Sequence, residues 1–405
     1  MLSRKRISLI AILLIICLLA ACGPSSPSPG PEPTEQAETY TKIQNIRYWP
    51  VDADYDTCDY ALIVDTPKFA GTEESGYAMN LAVGAYLEEL ARRVEKEYMP
   101  VSVTKPPYTQ VTSEVDKVGM ITNIVFTEEH CYEVQPIVET YVLMLDERGA
   151  QVNLRDHFLS YHADELIAAA LEKKLAGDEK YGSPDALKLL SCIDVVHRGR
   201  TRADGCTVYI PAGAIADIDL GELAFDLSFE EAAPDYVGEG KALSQDEYRR
   251  LTAMLGYVSN ACVVRGEDIT AGAVSEYAAT SFMGELAQTL DIKPEAGRIS
   301  VPKAEFESLF TECFGTDFPG IDSDAHDIRL EDDSYSVRFR RKEYRYNVDM
   351  LSVTREGGSL TITGDLIFGD FGFSATDYIC HVEITAHENE KSPFGFTVDG
   401  FRLSL

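Results

Sequence analysis

The sequence predicts an α+β protein of two domains, each with helices packed on a mainly antiparallel sheet. Three observations carry that expectation. Apolar residues recur at spacings of three and four in some segments and alternate in others, the marks of half-buried helices and strands. The two kinds of segment mix without a regular strand–helix–strand rhythm, which argues against a doubly wound parallel sheet. Roughly 365 of the 405 residues lie beyond a leader and a proline-rich stretch, enough for two domains of ordinary size.

Residues 1–21 form the leader. Arg4, Lys5 and Arg6 supply positive charge, Leu9 to Leu19 are wholly apolar, and Ala20-Ala21 precede Cys22. A charged start, an apolar middle and a small-residue end mark a secretory signal, shorter than the ~20 residues of a spanning helix. Leu19-Ala20-Ala21-Cys22 resembles the bacterial lipobox. That resemblance implies cleavage after Ala21 and a diacylglycerol on the Cys22 thiol. Acyl chains contribute ~0.8 kcal/mol per buried CH₂, and two of them hold a protein on a bilayer. Residues 22–39 include GPSSPSPGPEP, which buries no core and stays extended, as a tether does. The expected location is extracytoplasmic, lipid-anchored to the bacterial cell membrane.

Charge narrows the partners. The chain has 36 basic and 67 acidic side chains, a net −31; loss of the three basic leader residues makes it −34. Phosphates are repelled by such a surface, so nucleic acid is excluded as a partner, as is lying flat on anionic lipid. A basic protein, a cationic peptide or a divalent ion suits it, and so does simple solubility. After Cys17 and Cys22, seven cysteines remain, at positions 58, 131, 192, 206, 262, 313 and 380. An odd number without any C-x-x-C is not a disulfide framework or a zinc site, and most of these residues read as small buried apolar side chains.

The first unit spans residues 40–232. Cys58 to Val64 reads as a strand stopped at Asp65-Thr66-Pro67. Met79, Val83, Tyr86, Leu90 and Val94 make one helical stripe. Strands follow at Thr109–Val115, Met120–Phe126 and Val134–Leu145. The last of these turns at Asp146-Glu147-Arg148-Gly149 and resumes at Gln151. His162–Leu175 is a second helix with Leu166, Ala169, Ala170 and Leu175 inward, and Ser183-Pro184 opens a third. Cys206–Pro211 and Leu223–Phe229 return to strand.

The order of these pieces resembles the extracellular domain of lysozyme-sensing anti-sigma factors (RsiV-type), found also beside polysaccharide deacetylases. The residues that carry the resemblance are the strand ending in Pro67 and Phe69 and the helix with Asn80. Tyr141-Val142-Leu143-Met144-Leu145-Asp146 with Gly149, Val152, Leu154, Asp156 and Phe158 adds to it, as does Val208-Tyr209-Ile210-Pro211. It covers about half of the chain and implies a non-catalytic module that grips lysozyme. Two departures bear on that. Where the family carries a glycine-rich loop ending in Ala-His-Gly, this chain reads Thr127-Glu128-Glu129-His130-Cys131, and a family tyrosine is replaced by Ala212 or Gly213.

Residues 233–242 read as a linker. The second unit, 243–405, opens with a capping box at Ser244-Gln245-Asp246-Glu247, and Leu251, Met254, Leu255 and Val258 make the helix's apolar face. Helices at Val274–Leu290 and Lys303–Phe314 follow, the latter stopped by Gly315. Strands are expected at 335–340, 344–355, 359–368, 378–387 and 396–403. Helices followed by an antiparallel meander resemble NTF2-like or cystatin-like cones, an analogy of fold that implies no chemistry.

Candidate sites are few. No G-x-S-x-G, H-E-x-x-H, Walker or dinucleotide fingerprint occurs, so the chain is expected not to be an enzyme and to need no cofactor. Thr127, Glu128, Glu129 and His130 are candidate binding residues by their place in the resemblance, and Trp49 is one as an exposed aromatic, against the plainer reading of core anchoring. Asp322, Asp324, His326 and Asp327 offer hard ligands for calcium, but the EF-hand glycine and glutamate are missing and a solvated acidic loop is the simpler reading. The expected function is a lipid-anchored, non-catalytic envelope protein that binds lysozyme or another cationic protein. The alternatives are a component of peptidoglycan processing and a structural envelope scaffold. Oligomeric state is left open.

Overall fold

The computed structural model describes residues 40–70, 74–101, 107–132, 136–217, 220–270, 273–290, 292–321, 328–338, 346–369 and 377–404. The architecture is α+β, with helices packed on mostly antiparallel sheets.

The first sheet has six strands in chain order: β1 (Tyr40–Trp49), β2 (Tyr60–Phe69), β3 (Tyr108–Val118), β4 (Ile121–Cys131), β5 (Ile137–Leu145) and β6 (Gln151–Val152). β1 is an edge strand that sequence pattern does not reveal, because nearly all of it is exposed. Lys42 and Arg47 blunt that edge. β2 runs on through Pro67, contrary to the expected stop. β3 pairs with β2 only from Ala61 to Val64, so beyond Val64 the proline has β1 on one side and no ladder to interrupt on the other. β2 and β3 are parallel, joined by α1 (Glu74–Arg93) as the crossover. The predicted stripe of α1 is its buried face: Met79, Val83, Tyr86, Leu90 and Val94 are all at most 4% exposed. The helix ends in a π-helical turn, Val94–Tyr98.

The β5–β6 turn forms as expected. Asp146 Oδ1 accepts from the amides of Arg148 and Ala150. Gly149 has φ +76°, and a Cβ there would stand 2.7 Å from that of Ala78 on α1. Glycine is needed for both reasons. α2 (Leu154–Phe158) and α3 (Ala163–Leu175) cover the opposite side of the sheet, where Val125, Val142 and Met144 point. The inner face of α3 overlaps the expected one in part: Ala170 and Leu175 are buried as expected, together with Ile167, Ala168 and Leu171, while Leu166 and Ala169 line a surface groove. α4 (Ala186–Leu190) is capped by Asp185 rather than Ser183. A three-stranded sheet, β7 (Gly199–Arg202), β8 (Gly205–Ile210) and β9 (Leu223–Ser228), leads into α5 (Phe229–Ala232).

Residues 233–242, expected as a linker, are packed. Ala233 and Val237 are buried and Tyr236 donates its hydroxyl proton to the Met350 carbonyl at 2.5 Å. α6 (Gln245–Val263) starts at the predicted capping box, and its Tyr248 hydroxyl donates to the Leu159 carbonyl at 2.8 Å. One set of contacting buried side chains runs from Val125 to Phe401. The remaining elements are β10 (Ile269–Thr270), α7 (Glu276–Leu286), β11 (Arg298–Pro302), α8 (Lys303–Phe314), β12 (Ile328–Glu331), β13 (Ser334–Arg338), β14 (Tyr346–Glu356), β15 (Ser359–Phe368), β16 (Asp377–Glu388) and β17 (Phe396–Ser404). They form a five-stranded sheet in the order β10-β17-β16-β15-β14 and a small sheet β11-β13-β12. β13, expected as the first strand of the meander, belongs to the small sheet, because β11 ahead of α8 pairs with it. The seven cysteines from Cys58 to Cys380 form no disulfide, and five of them are buried.

Candidate functional site

On the α1 side of the first sheet, β4 presents Ile124, Phe126, Glu128 and His130 in succession, since alternate residues share a face. Ile124 and Phe126 join the core under α1. Glu128 and His130 continue the same row and are each 1% exposed. The sequence thus puts a carboxylate and an imidazole where the strand's alternation calls for apolar side chains. Such groups are tolerated in a core only with partners.

Their partners come from every side. On α1, Tyr86 and Arg93 continue the inner stripe. Tyr86 donates its hydroxyl proton to Glu128 Oε1 at 2.9 Å, and Arg93 Nη2 donates to Oε1 and Oε2 at 2.8 and 3.0 Å. Burial pushes the Glu128 carboxyl up, but His130 and Arg93 outweigh it and hold it below the usual carboxylate range. On β3, Thr109 Oγ1 lies 2.9 Å from His130 Nδ1 and 2.9 Å from the Tyr60 hydroxyl. Tyr98, in the π-helical turn, covers the imidazole with ring centres 4.3 Å apart. His130 Nε2 stands 3.2 Å from Glu128 Oε2, within ion-pair distance, yet it is out of line for a hydrogen bond and has no other partner.

β5 adds a second carboxylate. Glu139 is directly opposite Glu128 in the ladder, a like-charge placement that destabilises a sheet unless cations answer it. Arg93 answers Glu128, and Arg198 answers Glu139 at 3.2 Å while also holding Glu222 at 2.8 Å. One ligand atom each of Glu128, His130 and Glu139 lie within 4.8 Å of one another. Glu128 and Glu139 line a cavity of about 460 Å³ whose other walls include Glu89, Arg93, Asp194, His197 and Arg198. Around this cavity four carboxylates meet two guanidiniums, both already paired. The outer wall is made by His197 stacked on Tyr141 at 4.8 Å, with Asp194 beside it. Burial raises the Asp194 carboxyl, but His197 and the amides of Val196 and His197 outweigh it, so it is held low and charged.

Of the sequence candidates, the structure brings Glu128 and His130 into this site. Thr127 and Glu129 point to the opposite face of β4, by the strand's alternation. Trp49 is half-buried, not a free aromatic: its indole N–H donates to Glu95 Oε1 at 2.7 Å and it meets Tyr60 edge-on at 6.3 Å. Ala21, Cys22, Asp322, Asp324, His326 and Asp327 lie outside the described residues. Sequence reasoning missed Arg93, Glu139, Asp194, His197 and Arg198. Arg93 was discoverable as the polar continuation of the 86–90 stripe, whereas the opposition of Glu139 to Glu128 needs the strand register.

A second buried carboxylate sits elsewhere. Asp349 on β14 is 1% exposed and opposite Asp365 on β15, which in turn is opposite His381 on β16. His162, at the start of α3, places Nε2 3.6 Å from Asp349 Oδ2. Burial pushes the Asp349 carboxyl up to about 6, with Asp365 adding to the rise and His162 and Ser160 opposing it.

No family model matches the chain, and no curated protein matches it. Among solved structures, a member of the DUF3298 family from Bacteroides fragilis is similar at 14% identity, over 47% of this chain and 90% of its own, with a TM-score of 0.31.

Proposed function

We propose that this protein is a lipid-anchored, non-catalytic binding protein of the bacterial cell envelope whose partner is a cationic protein such as lysozyme. The observation that carries this reading is the acidic cavity. Its two arginines are spent on Glu128 and on Glu139 with Glu222, while at its half-exposed rim Glu89 has only the solvent-exposed Arg92 and Asp194 only His197, surface pairs that a partner's cation can displace. A lysine or arginine of a partner fits there, its stem along Tyr141 and His197 and its charge among the carboxylates. The net charge of −31 acts at longer range and speeds encounter with a basic partner. The anchor is assigned to Cys22 through the lipobox resemblance. Among the described residues no helix is long and apolar enough to cross a membrane.

Calorimetric titration of the protein with lysozyme at low salt tests the reading. The expected result is a saturable heat that weakens as salt shortens the Debye length to about 10 Å at 0.1 M, and that falls in Asp194→Asn. No heat at micromolar concentrations overturns it.

A further inference from the structure

We infer that Glu128, His130 and Glu139 form a binding site for a divalent transition-metal ion of the zinc class. This stands on the cluster itself and does not depend on the partner read for the cavity rim.

The imidazole gives the first argument. His130 Nδ1 is engaged with Thr109 Oγ1, which is held in turn by the Tyr60 hydroxyl. A ligating histidine has this arrangement, its second ring nitrogen fixed on an oxygen so that the first presents a lone pair. The nitrogen that is left, Nε2, is buried, has no hydrogen-bond partner and faces a carboxylate oxygen 3.2 Å away. Nε2 and the Glu128 oxygen both point into the same buried space, and a cation between them would take an electron pair from each. Geometry gives the second argument. Two ligands of a tetrahedral ion at about 2.0–2.2 Å stand roughly 3.3–3.5 Å apart, close to the separation already present between His130 and Glu128. Glu139 is the outermost of the three, its side chain 29% exposed and paired with Arg198 at 3.2 Å, so it closes the remaining distance by exchanging that pair for the ion. Charge gives the third. Glu128 and Glu139 face each other across the ladder, and an ion at this point adds to the compensation that Arg93 and Arg198 supply from either side.

One imidazole and two carboxylates are ligands for zinc and its neighbours, not for the all-oxygen shells of calcium or magnesium. Three protein ligands leave a fourth position, and the cavity lined by Glu128 and Glu139 has room for water there. Arg93, which donates to both oxygens of Glu128, competes for one of them and stays on the other.

The experiment is equilibrium dialysis of the full chain against zinc, with thermal unfolding in parallel and circular dichroism to check the fold of each variant. Glu139→Gln, at the partly exposed ligand, is expected to bind one zinc fewer than wild type and to lose that part of the zinc-induced rise in melting temperature. Thr109→Val removes the Nδ1 partner and is expected to weaken the same site about 10–100-fold. If wild type and Glu139→Gln bind the same number of ions with the same stabilisation, the inference fails and the cluster is a closed ion-pair network. Absence of zinc binding by wild type overturns it as well. Neither result bears on the lysozyme titration, which uses Asp194 and no metal.

Discussion

Arg93 is the side chain on which the buried carboxylate most depends. Its guanidinium bridges both oxygens of Glu128, which is 1% exposed. Removing one partner of a buried pair strands the other charge, so Arg93→Met is expected to cost about 3–5 kcal/mol. Urea unfolding measures this, and the double variant Arg93→Met/Glu128→Leu should recover most of the loss. Two other residues set opposing pH dependences. Asp349 titrates near 6 in the folded chain against 3.8 for a free side chain, because burial disfavours its charge. The folded state therefore holds the extra proton between those values, and stability from this group falls as pH rises from about 4 to 6. His157 is pushed down from 6.5 to about 4 by burial, with Arg249 adding to the effect. Its contribution is full above about 6.5 and is lost as pH falls toward 4. In Asp349→Asn only the second trend is left, so unfolding midpoints should climb more steeply between about pH 4 and pH 6 than in wild type. An unchanged slope refutes the assignment to Asp349.

Among the elements, those with local signals were legible. The box at Ser244 and Glu247 is reciprocal: the Ser244 hydroxyl accepts from the Glu247 amide while the Glu247 carboxylate accepts from the Ser244 amide at 2.7 Å. Glu247 also takes Arg355 of β14 at 2.9 Å, which ties the start of α6 to the meander. Ser244→Ala is expected to cost ~1 kcal/mol, seen as a lower melting temperature, with Glu247→Ala costing more because it breaks the Arg355 pair as well. The stripes of α1 and α6 were readable for the same reason, since each helix turns one continuous apolar face inward. β1 was not, because an exposed edge strand has no alternation to read. The course of β2 through Pro67 was not either: whether a proline stops a strand depends on which neighbour is present at that height in the sheet. The candidate site was half visible for a related reason. Glu128 and His130 announce themselves as polar intruders in one strand, while Glu139, Arg93 and Arg198 reach them only through register, helix placement and a distant turn.

At the scale of the whole molecule, the shared core is the feature that sequence pattern concealed. Pro234, Gly238 and Gly240 give residues 233–242 the composition of a linker, yet Val237 and the flanking Leu243 are buried and Tyr236 bonds to β14. Composition records which residues can turn, and it does not record whether something packs against them. The unbridged cysteines belong to the same scale. Cys206, Cys262 and Cys313 are pushed up to about 12 by burial, so almost none of their sulfur is thiolate at neutral pH. Oxidants and disulfide exchange attack thiolate. For these three the sulfur chemistry stays silent for as long as the interior remains closed, which leaves the partly exposed Cys131 and Cys192 as the thiols that a reagent meets first.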